Sequence, residues 1–476
     1  MNSFLALAPL LVIAGGALLV LLLDAFIEKE AKDFPAYVSI LILAASALVS
    51  IRSWNQGLTY FDGMLRLDNL ALFFILLLTI GVAFVCLIGM KYLSLQGVPS
   101  GEFYGLLLLA LSGLMIMTSS SHFLVIFLGL EVLSVSSYAL AGLKRTEEKS
   151  GESAVKYFLM GSFASAFLVL GLALLFGSCG SLEIPVITAR LASTSEGRVL
   201  ALVGFGLVVI GFAFKIALVP FHMWTPDVYE GAPTPVAAFF SVGPKTAGFA
   251  VLLKPLLPYW NGAVKSQAFF WLVAGVAVLT MVVGNLTAIR QKNIKRLLAY
   301  SSISHAGYIL LAVLAADASS LLFYLSVYLF MSLGAFGALM ALAKKDTEYV
   351  EIDDFAGVGF KYPWIGAIFA VFLFSLAGFP PTGGFLAKFY VFAGAVRQGL
   401  TPLVIIGVLA SLVSVYYYLR IVVYMYMRPP SREIEIETEN PALFLVLFLC
   451  LYGVLQLGIF PANILQIIRQ TVASLL

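Results

Sequence analysis

Residues 211–222 read Gly-Phe-Ala-Phe-Lys-Ile-Ala-Leu-Val-Pro-Phe-His, a lysine inside an apolar run that is cut five residues later by Pro220. Residues 200–222 are otherwise long and apolar enough to cross a bilayer, which takes ~20 mostly apolar residues. A cation some fifteen residues into such a span lies near mid-membrane, and the proline behind it removes a helix donor. Unwound backbone at that depth is tolerated only where protein or a wet cavity satisfies it. A comparable interruption, Gly378-Phe-Pro380-Pro381-Thr-Gly383-Gly384, lies in the second half of the chain.

The surrounding sequence has lipid as its solvent. Of 476 residues 61% are hydrophobic and 11% charged, against roughly 25% charged in a soluble domain. This excludes a water-soluble enzyme, a disordered scaffold and a nucleic-acid binder, and a net charge of +3 leaves no basic field for phosphates. Cys86, Cys179 and Cys450 are isolated, with no C-x-x-C pair, so neither a zinc site nor a protein-held Fe–S cluster is expected. No phosphate-binding loop or dinucleotide fingerprint is present, so no nucleotide cofactor is expected in this chain.

Continuous rather than alternating apolar runs predict helices, not a barrel. Spans are expected near 4–23, 34–51, 68–92, 103–120, 122–143, 153–177, 200–222 and 233–258. A second series is expected near 267–288, 297–315, 317–343, 362–397, 401–427 and 441–470, giving fourteen. The first span has no basic segment before it and reads as a membrane helix rather than a separate leader. The connections at Gly177–Arg198 and Arg428–Asn440 are expected to form surface turns or a short hairpin. Fifteen Lys/Arg, among them Lys29, Lys32, Lys144, Lys295 and Arg432, fall on one side and eight, among them Arg52, Lys254, Lys265 and Arg469, on the other. The positive-inside rule then places both termini outside.

The paired interruptions point to inverted repeats around a transport path, because an odd number of helices per unit inverts the next copy. The expected organisation is three helices in 1–102, a five-helix unit in 103–260, an inverted five-helix unit in 261–428, and a loop with the last helix in 429–476. Two unrelated proline kinks are the plainer reading.

A charge at mid-bilayer is disfavoured by at least ~2.5–3.5 kcal/mol and so needs a reason. Glu131, Lys215 and Lys245 all fall near the middle of their spans, and Lys388 follows the second break. That spacing describes a row of sites in the membrane plane. A lysine in apolar surroundings gives up its proton readily, and a neighbouring carboxylate favours the charged form. A Glu131–Lys215 pair would thus be a switchable proton store, against the alternative of a static buried ion pair that fixes packing. Lys156 lies close to a helix end, where snorkelling explains it equally well. His305 shares a helical face with Ser301, Ser302 and Tyr308, an arrangement that suits a water file or plain packing. Ser134 and Tyr138 share the Glu131 face by their spacing. His122 and His222 read as interfacial, and Tyr416-Tyr417-Tyr418 as packing or an interfacial belt.

The stretch Lys215-Ile-Ala-Leu-Val-Pro-Phe-His-Met-Trp-Thr-Pro-Asp-Val-Tyr-Glu-Gly-Ala-Pro-Thr-Pro-Val-Ala-Ala-Phe resembles the antiporter-like membrane subunits of respiratory complex I. So does Asn285-Leu-Thr-Ala-Ile-Arg-Gln-Lys-Asn-Ile-Lys-Arg-Leu-Leu-Ala-Tyr-Ser-Ser-Ile-Ser-His305-Ala-Gly-Tyr, and the likeness runs across essentially the whole chain. Gly142-Leu-Lys-Arg-Thr-Glu-Glu-Lys-Ser matches one branch of the family. The length leaves no room for the lateral C-terminal helix of the L-type subunit, and Lys388 stands where the M-type has glutamate.

The resemblance implies fourteen helices, with the seventh and twelfth broken, and proton transfer through Glu131, Lys215, Lys245 and Lys388, with Lys156 and His305 matching further polar positions. It also implies no redox centre in this chain, with NADH, FMN, Fe–S clusters and quinone handled by partner subunits. Those partners would be M- and K-type membrane neighbours and a hydrophilic redox arm, in a bacterial inner membrane. A subunit of a multi-subunit Na⁺/H⁺ antiporter shares these motifs, and a non-catalytic membrane scaffold is the reading from a different class.

Overall fold

The computed structural model describes residues 7–26, 33–192, 197–261, 266–430, 435 and 440–473. The chain opens with α1 (Ala8–Asp24) and α2 (Phe34–Arg52), then a hairpin of β1 (Leu58–Tyr60) and β2 (Leu65–Leu67), then α3 (Asn69–Leu95). The first five-traverse group holds α4 (Ser100–Ser119), α5 (Phe123–Ala141), α6 (Glu148–Cys179), α8 (Arg198–Lys215) continued by α9 (Trp224–Gly231), and α10 (Thr234–Asn261). The short α7 (Ile184–Leu191) lies between α6 and α8.

The second group holds α11 (Gln267–Ala288), α12 (Ile294–Leu314), α13 (Ala318–Met340), α15 (Pro363–Ala377) continued by α16 (Gly383–Arg397), and α17 (Thr401–Met427). A 3₁₀ turn (Ile352–Phe355) and α14 (Val358–Lys361) precede α15; α18 (Pro441–Ile459) and α19 (Ala462–Ala473) end the described chain. Among the described residues twelve helices are long and apolar enough to cross a bilayer by themselves, and the shorter apolar Ala8–Asp24 and Pro363–Ala377 bring the traverses to fourteen. The first residues of the expected 4–23 span, like the loop residues Lys29, Lys32, Lys265 and Arg432, lie outside the described residues.

In each group the fourth traverse is the broken one. Because each group has five traverses, the first enters from the Lys/Arg-rich side and the second from the opposite side, which is inverted topology. The centre of the molecule is α10, α12 and α13, whose apolar windows are 100%, 94% and 94% buried. Helix starts are fixed by side chains that take up an orphan N–H: Asp68 accepts from Ala71 N at 2.9 Å, and Asn293 and Asp317 do the same for α12 and α13.

Two local expectations are corrected, and a third falls largely outside the described residues. The hairpin lies at residues 58–67, not in 177–198, where α7 forms instead. Of the 428–440 connection most residues lie outside those described. The 441–470 span is two helices, because Pro461 cannot continue α18, and α19 folds along the surface with Ile468 inward and Arg469 outward.

Candidate functional site

Lys215 is the last residue of α8, 3% exposed. Its ammonium donates to Ser134 Oγ at 3.0 Å and Tyr157 OH at 3.2 Å, and lies 5.2 Å from the centre of the Tyr157 ring. Trp224, which opens α9, stacks on Tyr157 at 4.3 Å and donates its indole N–H to Phe214 O at 3.0 Å. The break is therefore sealed around the lysine by one aromatic cluster. Val219 N donates across to Thr280 Oγ1 at 3.0 Å, so unwound backbone is satisfied by the second group of helices.

The expected direct pairing of Glu131 with Lys215 is corrected: the two make no ion pair within 4.0 Å. Glu131 is half-buried on a face of α5 whose neighbours Leu128, Val132 and Val135 are exposed, and its carboxylate accepts from Ser165 Oγ at 2.7 Å. Ser134, which holds the lysine, lies three residues further along α5, ~4.5 Å of rise. A narrow pocket lined by Ser134, Tyr138, Ser165 and Lys215 brings the serine that holds Glu131 beside the lysine. Each group is thus held by a serine hydroxyl, Glu131 by Ser165 and Lys215 by Ser134.

Lys245, in the middle of α10 and 1% exposed, donates to the carbonyl oxygen of Ser302 on α12. Ser302 Oγ accepts from Tyr328 OH at 2.9 Å, and Ser301 Oγ meets Tyr418 OH. His305, one turn on, has Nδ1 2.6 Å from Tyr324 OH and Nε2 3.4 Å from Tyr418 OH. Tyr308 OH accepts from Asn285 Nδ2 at 2.9 Å, and Tyr417 OH donates to Asn285 Oδ1 at 2.9 Å. Lys388 lies 5.2 Å from the Tyr308 ring centre and donates to Ser411 Oγ, Leu376 O and Ala377 O at 2.9, 3.0 and 2.8 Å. From Lys245 to Lys388 the interior of the second group is thus a nearly continuous file of hydroxyl, amide and imidazole groups. Between Lys215 and Lys245 polar atoms are sparser, and Ser137 Oγ and Thr246 Oγ1 are buried without a protein partner.

Pro220 and Pro381 each follow a cis peptide bond in their breaks. Gly383 and Gly384 open α16; a Cβ on Gly384 would lie 1.8 Å from Ser375 O, so only glycine lets the two half-helices meet there.

Lys156 stands apart from this file. Its ammonium lies 2.8 Å from Asp227 Oδ2 and 2.5 Å from Glu152 Oε1, with 41% of the side chain exposed. Arg296 bridges Asp227 at 2.6 Å and Glu230 at 3.0 Å, and Lys149 completes the set at 2.8 Å from Glu230. This network ties α6 and α9 to α12 at the Lys/Arg-rich end. Asp227 and Glu230 are in the quoted motif, yet their role depends on partners distant in sequence.

Other sequence readings shift. Tyr417 and Tyr418 are fully buried members of the file, whereas Tyr416 is exposed. His122 is a buried residue at the start of α5, and His222 lies in the first break itself. Lys254, half-buried in α10, and Lys295, buried in α12, are helix residues rather than loop charges. Lys254 donates to Thr118 O and Ser120 O at 2.7 and 2.6 Å, and Lys295 to Ala232 O at 2.7 Å. Sequence reasoning missed Tyr157, Tyr324, Tyr328, Asn285 and Ser411. Their signal was tyrosine or amide at one-turn spacing inside apolar helices, Tyr324 and Tyr328 being four apart.

A membrane bundle of two inverted five-helix groups, each with a broken fourth helix and joined by buried lysines, is the architecture of an antiporter-like transport subunit. The pattern of the family described as "NADH:quinone oxidoreductase/Mrp antiporter, TM" matches residues 120–414. The NADH-quinone oxidoreductase subunit N of Trichlorobacter lovleyi is 41% identical over 98% of this chain and 96% of its own length. A chain of respiratory complex I from Thermus thermophilus, solved with bound aureothin, is 33% identical with a TM-score of 0.82, covering 96% of this chain and 98% of that one. A chain of the Mrp complex from Dietzia superposes with a TM-score of 0.84 over 98% of this chain and 97% of its own, but at 19% identity it speaks to the fold alone. The chain belongs to this family, in its subunit N branch. The antiporter alternative is not favoured.

Proposed function

We propose that the chain is the proton-translocating N-type subunit of an NADH–quinone oxidoreductase, with Glu131, Lys215, Lys245, His305 and Lys388 as the groups that hold and pass the proton. The observation that carries this reading is the hydrogen-bonded file between Lys245 and Lys388, built inside the most buried helices. Electrons pass from NADH to quinone through FMN and Fe–S clusters in partner subunits, and this chain contributes no redox step. M- and K-type neighbours flank it in a bacterial inner membrane, with both termini outside and one neighbour sealing the exposed face beside Glu131.

Charge movement supplies the coupling. When the charge on Lys215 changes through the nearby Glu131 charge, the proton affinity of Lys245 changes with it. Two unit charges about 10 Å apart at an effective dielectric of about 20 interact by roughly 1.7 kcal/mol, about a tenfold change in proton occupancy. That drives the proton from Lys245 along the file towards Lys388 and the outer side. Lys156 acts by holding α6 to α9 rather than by carrying the proton. The two five-helix units, 103–260 and 261–428, then have different tasks, the first switching and the second conducting.

The test is a mutant cycle in the assembled complex with Glu131→Gln, Lys215→Ala and the double variant, reading NADH-driven proton transfer into proteoliposomes. If the pair acts as one unit the double variant loses no more than the worse single variant. Losses that multiply would contradict it.

A further inference from the structure

On the Lys/Arg-rich side a second acid–base pair stands over Lys245. Glu348 belongs to the loop between α13 and the 3₁₀ turn, and 19% of its side chain is exposed; the side chain of Lys295, in the first turn of α12, is 4% exposed. Their charged ends are 3.4 Å apart. Thr234 Oγ1, at the start of α10, donates to the other carboxylate oxygen at 3.0 Å, and Lys295 also donates to Ala232 O, just past the end of α9, at 2.7 Å. The pair therefore sits where the loop, α9, α10 and α12 converge, the carboxylate side chain the more exposed of the two.

Two observations extend this inward. Lys295 and Ser302 lie seven residues apart on one face of α12, and the carbonyl of Ser302 holds Lys245. Tyr229, one turn before Ala232 and fully buried, turns its hydroxyl towards Ser302 and Tyr328 without completing a hydrogen bond. A buried hydroxyl with no protein partner calls for ordered water, and this one faces Ser302, whose carbonyl holds Lys245.

We infer that Glu348 and Lys295 are the loading pair for Lys245, taking protons from water at the rim and passing them inward by way of the Tyr229 hydroxyl and the Ser302–Tyr328 pair. The inference rests on the proton-translocation reading above. In each cycle the Glu348 carboxylate takes one proton from water, and Lys295 releases its own proton inward to the neutral amine of Lys245. Glu348 then hands its proton to the neutral Lys295 amine, which restores the ion pair. One proton has moved and no other bond has changed.

Burial pushes the Glu348 carboxyl up to about 8. The cation of Lys295 opposes that burial at close range. Lys144 and Glu147 from the α5–α6 connection, Lys149 from α6 and Glu230 from α9 act on Lys295 from the surrounding elements. Lys345 and Asp346 belong to the same loop as Glu348, and Lys344 there pairs with Glu435. The carboxyl is a proton donor below its own pKa and empties as the pH rises through it, so its contribution to loading is greatest below about 8 and fades on the alkaline side.

The test uses the assembled complex in proteoliposomes, with NADH–quinone turnover and proton transfer measured from about pH 6.5 to about pH 9. Glu348→Gln is expected to slow both by about fivefold or more at the acid end, where the wild-type carboxyl is loaded, and by less than about twofold at the alkaline end, where it is already empty, with Glu348→Asp restoring most of the loss. Tyr229→Phe removes only an unpaired hydroxyl, and is expected to slow turnover at all pH values with assembly intact; it carries the test if Glu348→Gln fails to assemble. A Glu348→Gln loss of equal size at every pH, or a Tyr229→Phe complex with wild-type turnover, would overturn the inference. Lys245→Ala is the control. If it abolishes pumping while Glu348→Gln and Tyr229→Phe do nothing, only the loading route is wrong; if it leaves pumping intact, the translocation reading fails too.

Discussion

Among the described residues Lys388 has no carboxylate partner; its ammonium donates to Ser411 Oγ, Leu376 O and Ala377 O. Two of its three partners are Leu376 O and Ala377 O, carbonyls of the last turn of α15, where the helix dipole is negative and a cation is favoured. Gly378 makes that approach possible: its φ is +93°, and a Cβ there would lie 3.1 Å from Lys388 Cδ and 3.3 Å from Nζ. Gly378→Ala is therefore expected to cost about 1–2 kcal/mol in backbone strain and to displace the ammonium. The assembled variant should show a lower thermal midpoint and several-fold slower proton transfer; unchanged values for both would refute the account of this cap. The depth of Lys388 was legible in the sequence because a lysine after a Pro-Pro-Thr-Gly-Gly break is conspicuous. Its partners were not legible, since backbone carbonyls have no residue identity and Ser411 lies 23 residues away. For the same reason Glu131 and Lys215 read as a direct pair: their shared depth was visible, but the Ser134 and Tyr157 hydroxyls that intervene depend on how α5, α6 and α8 rotate against one another.

Interrupted helices do two things in this fold. They place lysines beside freed backbone groups, and they let the half-helix α9 turn its acidic residues to α12. The chain Lys156–Asp227–Arg296–Glu230–Lys149 results from the second. Asp227→Asn would leave Lys156 and Arg296 short of one carboxylate. With Asp227 31% exposed the expected loss is about 1–2 kcal/mol rather than that of a fully buried pair. The expected result is a lower thermal midpoint and lower yield of assembled complex, with the ratio of protons moved to electrons passed unchanged. A changed ratio at normal stability would instead make Asp227 part of the proton path.

At this scale proline and glycine were sufficient to locate both breaks from sequence. The hairpin at residues 58–67 and the surface helix α7 were not legible, because three-residue strands and an eight-residue helix leave no periodic signal longer than the loops around them.

Fourteen traverses follow from length and hydropathy, the paired breaks arrange them in two inverted groups, and among the described residues the structure keeps that count. What hydropathy could not give is which helices are central. The apolar windows of α10 and α12 have a mean hydropathy of 1.6, among the lowest, yet they are the most buried. Polar side chains lower hydropathy, and those side chains are the file itself: Lys245, Ser301, Ser302 and His305 face each other and the tyrosines of α13 and α17 instead of lipid. The molecule is thus a lipid-facing shell around a polar axis in the membrane plane, with a charged cluster over that axis on the Lys/Arg-rich side.

The measurement that tests this most directly is the number of protons moved per electron by the assembled complex in proteoliposomes carrying Lys245→Ala, alongside its NADH–quinone turnover. The account predicts that proton transfer and turnover fall together by an order of magnitude or more, since an enzyme coupled through Lys245 cannot turn over freely without it. Wild-type turnover with a wild-type proton-to-electron ratio would contradict it.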